Sequence, residues 1–151
     1  MEIRTMSDEQ RRAIALEYLR RLDRGDSFFD LFDDHAEVYF PKWGVASGRA
    51  EIEKLFGDLS VTISRIQHHT AYFNVIQQGD LVVVVEGTPD GTTATGVDWR
   101  TGVTHAGHWC DVFEIRDLKI QRCYVYLDPD YAGADTERYP WLRSEADRKA
   151  S

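Results

Sequence analysis

The residues around Asp111 predict acid–base chemistry in an apolar setting. Trp109, Asp111 and Phe113 alternate along the chain, so they share one face if this stretch is a β-strand. Large aromatic side chains seldom occupy an exposed face, and a carboxyl between two of them loses contact with water. Desolvation favours the neutral acid, which can donate a hydrogen bond. The alternative is a surface-facing Asp111 whose neighbours lie on the other side.

Tyr18 is a second candidate because it lies on the apolar stripe of the first predicted helix. It is either a pocket residue or a core tyrosine whose hydroxyl bonds a backbone carbonyl. The pocket interpretation gains support only if the hydroxyl comes within hydrogen-bond reach of Asp111.

The spacing of the histidines argues against a metal site. His105 and His108 are three residues apart, and His68 and His69 are adjacent, so in regular strands each pair points to opposite faces and cannot chelate one ion. We therefore predict no metal. One of His68 and His69 must face inward, as a structural residue or as a general base, since imidazole titrates near neutral pH.

Composition excludes several classes of protein. The chain has 151 residues and a formal charge of −8, which argues against nucleic acid as its main partner. No apolar run approaches the roughly 20 residues of a membrane span, so we expect no membrane partner. The first residues lack the apolar segment of a signal peptide, which favours a cytoplasmic location. Cys110 and Cys123 are predicted to be reduced core thiols.

The predicted elements are helices followed by strands. Ser7 and Gln10 match a capping box, and the helix they open is expected to end at Gly25. A short second helix is predicted over residues 27–32 and a third from about Gly48. Strands are predicted over residues 36–40, 61–76, 81–88, 103–115 and 119–127. This order indicates an α+β fold with helices on one face of a curved, mostly antiparallel sheet.

In that order the chain resembles the NTF2-like superfamily, in particular its SnoaL-like and ketosteroid isomerase-like members, and it is also similar to scytalone dehydratase. The resemblance covers residues 7–128. It implies a cone with three N-terminal helices on the concave face of the sheet, an apolar pocket, no cofactor and a homodimer. The segments that carry it are Tyr18-Leu-Arg-Arg-Leu-Asp-Arg-Gly25-Asp26, Leu31-Phe32-Asp33-Asp34, Gly48-Arg-Ala-Glu-Ile52 and Asp111-Val-Phe-Glu-Ile-Arg-Asp-Leu-Lys-Ile120.

The resemblance also implies roles for individual residues. Tyr18 and Asp111 fall on the positions that hold the oxyanion in steroid isomerases. Phe40 replaces the usual general-base aspartate of those enzymes. The step Gln67-His68-His69 resembles the one that supplies a catalytic histidine in scytalone dehydratase. The choice between the two histidines stays open; the catalytic set is taken as Tyr18, His69 and Asp111.

The expected ligand is an apolar small molecule. Its predicted contacts are Phe32, Phe40, Trp43, His68, Trp109 and Phe113.

The leading hypothesis is a cofactor-independent isomerase, dehydratase or cyclase that acts on an apolar carbonyl compound. The alternative is a non-catalytic ligand-binding protein, which Phe40 in the base position favours. Epoxide hydrolysis is a third possibility, but the sequence lacks the Asp-Arg-Asp set that it requires. The domain is assigned to residues 1–130. Residues 131–151 form a tail whose apolar stretch, residues 139–142, is predicted to be a lid or a dimer contact.

Overall fold

A computed structural model describes residues 5–69, 73–87, 89–100 and 108–134. The described chain contains two α-helices, α1 (Asp8–Arg24) and α2 (Arg49–Thr62), and one turn of 3-10 helix (Phe29–Leu31). The strands are β1 (Phe32–Phe40), β2 (Gly44–Ser47), β3 (Ile63–Gln67), β4 (Asn74–Gln78), β5 (Leu81–Gly87), β6 (Asp90–Thr93), β7 (Asp98–Arg100), β8 (Trp109–Arg116) and β9 (Lys119–Leu127).

Helix α1 begins and ends as its sequence predicts. The Ser7 hydroxyl accepts the backbone N–H of Gln10 at 3.2 Å, and the Gln10 side chain accepts the backbone N–H of Ser7 at 2.9 Å. At the other end, Gly25 adopts a left-handed conformation with φ 71°, which glycine reaches without steric cost. Ala15, Tyr18 and Leu19 are buried, so α1 presents one apolar face to the sheet.

The prediction of three N-terminal helices is wrong for the described chain. Residues 27–32 form only a 3-10 turn, and β1 already begins at Phe32. Six residues allow barely one helical turn, whose nucleation is unfavourable, and Phe32 instead buries its ring at the start of the strand. The helix predicted from Gly48 is confirmed as α2, with Ile52 and Leu55 buried.

The larger sheet has six strands in the order β2-β1-β9-β8-β5-β4. Its pairs are antiparallel except β1 with β9, which run parallel, so the sheet is mixed and the predicted α+β class is confirmed. Along β8, buried side chains alternate with more exposed ones. Trp109, Asp111 and Phe113 therefore share the inner face, as their spacing predicts.

A smaller sheet has the order β3-β6-β7. The single strand predicted over residues 61–76 is wrong, because α2 continues to Thr62 and β3 and β4 belong to different sheets. The strand predicted from residue 103 is described from Trp109 onward. His105 and residues 139–142 lie outside the described residues.

The smaller sheet depends on a glycine. A Cβ added to Gly91 would overlap the backbone oxygen of Arg65 and the indole ring of Trp99. Overpacking of this kind costs about 1–3 kcal/mol. We therefore expect Gly91→Ala to lower the free energy of unfolding by about that amount in urea denaturation.

Gly57→Ala is the matched control. Gly57 lies within α2, and an added Cβ meets no atom within 4 Å, so alanine should leave stability unchanged or raise it through its better helix propensity. Equal stability of Gly91→Ala and the wild type would contradict the close packing of Gly91 against Trp99.

Candidate active site

A cavity of about 880 Å³ lies between α1, α2, the inner face of the larger sheet and the smaller sheet. A cavity of this size accommodates a drug-sized ligand. Its lining combines many aromatic side chains with a few titratable groups. The aromatic residues are Tyr18, Phe28, Phe29, Phe40, Phe56, Trp99, Trp109 and Tyr131, and the polar ones include Asp23, His68 and Asp111.

Asp111 is the most deeply buried acid in this lining. It lies on β8 with 3% of its surface exposed, and its Oδ1 has no hydrogen-bond partner among the described residues. Burial raises the pKa of Asp111 to about 8, because an apolar surrounding disfavours the carboxylate. At neutral pH the side chain is therefore mostly a carboxylic acid that can donate a hydrogen bond.

Tyr18 is 2% exposed and packs edge-on against Phe28, Phe32 and Phe113. Its hydroxyl meets the thiol of Cys123, and no hydrogen bond joins it to Asp111. Burial, followed by the charges of Cys123 and Asp111, raises the pKa of Tyr18 well above its usual range. The phenol stays protonated beside Asp111, although the direct contact that the sequence interpretation required is not formed.

The structure separates the two adjacent histidines. His68 follows β3, is 7% exposed and lines the cavity, whereas His69 is 40% exposed and outside the lining. His69 instead pairs with Asp90, with 2.8 Å between its Nε2 and a carboxylate oxygen. His68 therefore lines the cavity, as does His108, whereas His69, which the sequence analysis places in the catalytic set, lies outside the lining.

Asp23 is a site residue that the sequence interpretation missed. Its Oδ1 lies 2.5 Å from Nδ1 of His68, and its Oδ2 accepts the backbone N–H of His68 at 2.9 Å. The side chain of Gln67 donates to the same oxygen at 3.2 Å. The sequence contains one indication of this role. Asp23 lies in the last turn of α1, where the helix dipole destabilises a negative charge, so a partner for its carboxylate is expected.

Of the six predicted ligand contacts, three line the cavity, two lie in the core, and Trp43 contacts α2. Phe40, His68 and Trp109 line the cavity, whereas Phe32 and Phe113 are buried in the core behind Tyr18.

Trp43 lies elsewhere. Its indole N–H donates to Asp58 at 2.9 Å, and the ammonium of Lys54 lies 5.9 Å from its ring centre. These partners hold Trp43 beside Lys54 and Asp58 of α2, outside the cavity lining. The ligand contacts assigned to Trp43 and to the two core phenylalanines stay predictions.

Tyr131 is a further lining residue. It follows β9, is 5% exposed and packs against Trp99 with ring centres 4.8 Å apart. The sequence analysis placed it at the start of a polar tail, but its ring belongs to the wall of the cavity.

Within the described ranges, no three side chains of His, Cys, Asp or Glu converge as the ligands of a metal ion would. No helix in the same part of the chain has both the length and the apolar character needed to span a bilayer.

Comparison with solved structures identifies similar folds. An NTF2-like protein of unknown function from Burkholderia pseudomallei aligns with a TM-score of 0.67 at 15% identity, over 82% of this chain and 92% of that one. An NTF2-like protein from Anabaena variabilis aligns with a TM-score of 0.66 at 18% identity, over 87% and 98%. SalBIII, an epoxide hydrolase/cyclase-like enzyme of pyran ring formation in salinomycin, aligns with a TM-score of 0.63 at 23% identity, over 83% and 97%.

At these identities the structural matches establish the fold alone, which is NTF2-like. A search of curated proteins finds no match. The family comparison is more specific, because the SnoaL-like domain matches residues 15–123. That match covers most of the chain, from the middle of α1 through α2 and β8 to Cys123 in β9, and the chain therefore belongs to the SnoaL-like family.

Proposed function

We propose that the protein is an enzyme that transfers a proton next to a carbonyl group of an apolar small molecule, in an isomerisation, dehydration or cyclisation. One observation carries the proposal: a neutral carboxylic acid, Asp111, and a carboxylate-bound imidazole, His68, line the same aromatic cavity. One group can stabilise the oxygen of a carbonyl while the other removes a proton from the neighbouring carbon.

In this proposal His68 is the general base. The Asp23 carboxylate accepts the Nδ1–H of His68 and the backbone N–H of the same residue, which fixes the tautomer and the orientation of the ring. The Nε2 lone pair is then available to take a proton. The negative charge of Asp23 stabilises the imidazolium that forms, as in other carboxylate–imidazole pairs.

Asp111 and Tyr18 supply the electrophilic side of the site. When His68 removes the proton, the bonding electrons move toward the carbonyl oxygen and an enolate forms. A protonated Asp111 donates a hydrogen bond to that oxygen, and the low polarity of the cavity strengthens the interaction. Tyr18 lies beside Asp111 as a second protonated group. In a conjugated enolate, return of the proton from the imidazolium to another carbon completes an isomerisation. In a dehydration, the enolate expels a β-hydroxyl, which takes the proton of the imidazolium and leaves as water.

The family supports this chemistry at a coarse level. SalBIII, with the same fold, is an epoxide hydrolase/cyclase-like enzyme. The alternative of a non-catalytic binder is favoured by Phe40, an apolar residue in the cavity lining. The two functions are distinguished by turnover, because a binder would not accelerate proton exchange at carbon.

The test is exchange of α-protons for deuterium in 2-tetralone, 1-indanone and 2-decalone, followed by NMR in D₂O. We expect the wild type to accelerate exchange in at least one ketone. His68→Asn should lower the enzyme-dependent rate by about 10²- to 10⁴-fold, the usual contribution of a general base.

His69→Asn is the matched control, since His69 is adjacent in sequence but outside the cavity. It should leave the rate within about twofold of the wild type, far less than the loss of a general base produces. No acceleration with any of the three ketones, or an equal loss in both histidine variants, would contradict the proposal.

The neutral state of Asp111 has a separate consequence for stability. Between about pH 4 and pH 8 the unfolded chain loses the Asp111 proton while the folded chain keeps it, so unfolding becomes easier as the pH rises. The groups that face Asp111, namely Tyr18, Cys123 and Tyr131, have pKa values raised above this range. Asp111→Asn removes the effect, because the amide does not titrate.

We therefore expect the stability of Asp111→Asn relative to the wild type to rise with pH, by at most about 1.4 kcal/mol per pH unit. Urea denaturation at pH 5, 6, 7 and 8 measures this difference. Asp117→Asn, in the exposed turn between β8 and β9, is the control and should show no comparable trend. A constant difference for Asp111→Asn would show that Asp111 is ionised in the folded protein.

A further inference from the structure

The cavity opens to solvent between the end of α1, α2 and β3. In this region the residues that line the cavity are also exposed, among them Gly25, Ser27, Gly57, Ser60 and Ser64. Exposed residues within a cavity lining mark the place where the cavity meets the solvent. We call this opening, with these five residues on its rim, the mouth.

Two sides of the mouth are held by hydrogen bonds. On the α1 side, the guanidinium of Arg21 donates to the backbone oxygen of Ser27 at 3.2 Å and to the carboxylate of Asp30 at 2.7 Å. On the β3 side, the hydroxyl of Ser64 donates to the backbone oxygen of Thr92 at 3.0 Å. Because these two sides are anchored, the side chains of α2 determine how wide the mouth is.

Gly57 is the residue of α2 that leaves space at the mouth. Its backbone is helical and its φ is not positive, and a Cβ added to it would meet no atom of the described residues within 4 Å. Neither a left-handed backbone nor close packing therefore accounts for glycine, which is less favourable than alanine inside a helix. Because Gly57 is exposed and lines the cavity, a larger side chain at this position would project into the mouth.

Aromatic rings lead from the mouth into the cavity. Phe56, the neighbour of Gly57, packs edge-on against Phe28 with ring centres 4.7 Å apart, and Phe28 packs edge-on against Tyr18 at 5.3 Å. The same cavity contains Asp111, which is 3% exposed and whose Oδ1 has no hydrogen-bond partner among the described residues. A buried polar atom without a partner in the protein is suited to a ligand, and the mouth gives that ligand an aromatic path toward it.

The cavity has exposed lining residues in a second place, at His108 and Asp128. Tyr131 follows Asp128 in the same turn, is 5% exposed and packs against Trp99 with ring centres 4.8 Å apart. A packed ring therefore occupies this side of the cavity, whereas glycine and serine leave a gap at the mouth.

We propose that the mouth is the entrance for the ligand and that Gly57 determines the width of the molecule that passes through it. The proposal deepens the proposed function and rests on it in one respect, because it takes the same cavity as the ligand site. It defines the ligand class by shape: carbonyl compounds with fused rings pass over the bare backbone of Gly57. A side chain at this position obstructs such compounds more than it obstructs compounds with a single ring.

The test is stopped-flow fluorescence of Gly57→Leu with two carbonyl probes. The probe 6-acetyl-2-dimethylaminonaphthalene has two fused rings, and 4′-dimethylaminoacetophenone carries the same two substituents on one ring. For the two-ring probe we expect the association and dissociation rate constants to fall together, each by about tenfold, a change within the range of association rates among variants of one site. Their ratio, the dissociation constant, should change much less, because an obstructed entrance slows passage in both directions. The rate constants of the one-ring probe should fall less.

Ala50→Leu is the matched control. Ala50 is exposed in α2, outside the cavity lining, and lies about 10 Å from Gly57 along the helix axis. Leucine there should leave the rate constants of both probes unchanged. Leucine is a better helix former than glycine, so we expect Gly57→Leu to fold, which urea denaturation checks. Gly57→Ala is a second, milder variant that should show the same pattern to a smaller extent.

Unchanged rate constants for the two-ring probe in Gly57→Leu would show that ligands enter elsewhere and would overturn the proposal. Faster dissociation with unchanged association would make Gly57 part of the binding wall and overturn it as well. The same holds for equal slowing of both probes and for a wild type that binds neither probe.

These measurements do not depend on turnover, so the two proposals fail separately. If Gly57→Leu slows entry but no ketone exchanges its protons, only the proposed catalysis fails. Proton exchange in a ketone together with unchanged entry in Gly57→Leu removes only the role of Gly57.

Discussion

The burial of one carboxyl group is the constraint on which the rest of the site depends. Asp111 stands on the inner face of β8 between Trp109 and Phe113, where the charged form is strongly disfavoured. The fold tolerates the residue because the neutral acid is available at physiological pH. The titratable groups that face the carboxyl, Tyr18, Cys123 and Tyr131, also keep their protons. The interior around Asp111 therefore contains titratable groups, but they carry no charge at neutral pH.

Around His68, by contrast, the buried acid has hydrogen-bond partners. Asp23 joins the end of α1 to the chain after β3 through three hydrogen bonds, from the ring and backbone of His68 and from Gln67. This single carboxylate both orients the imidazole and attaches the smaller sheet to the helix. The edge of the His68 ring lies against Trp109, with centres 5.0 Å apart. Trp109, which shares the inner face of β8 with Asp111, thus also contacts the imidazole that Asp23 holds.

The sequence predicted the periodic parts of the molecule and missed the parts that depend on contacts across the chain. The capping box of α1, the apolar stripe of α2 and the inward face of β8 follow from local spacing, and each is confirmed. The sequence could not decide which of His68 and His69 faces the cavity. The two residues are adjacent, and they are distinguished by contacts with distant residues: His68 pairs with Asp23, and His69 pairs with Asp90.

The same limit applies to the short aromatic segment before β1 and to the residues that complete the cavity. Phe32 belongs to the core because β1 begins there, a boundary that local propensity does not define. Tyr131 and Asp23 enter the site through the turn after β9 and through the pairing with His68. Neither contact produces a periodic pattern in the sequence from which it could be predicted.

The parallel pairing of β1 with β9 determines when the protein can fold during its synthesis. β1 lies between β2 and β9 in the sheet, yet β9 is the last of the described strands to be synthesised. Contacts of such large sequence separation form slowly. Until Lys119–Leu127 has emerged, β1 and β8 both expose an unpaired edge beside apolar residues, the condition under which nascent chains aggregate. Completion of the sheet thus has to wait for the synthesis of β9, and the interval before it is the one in which the exposed strand edges most need protection from aggregation.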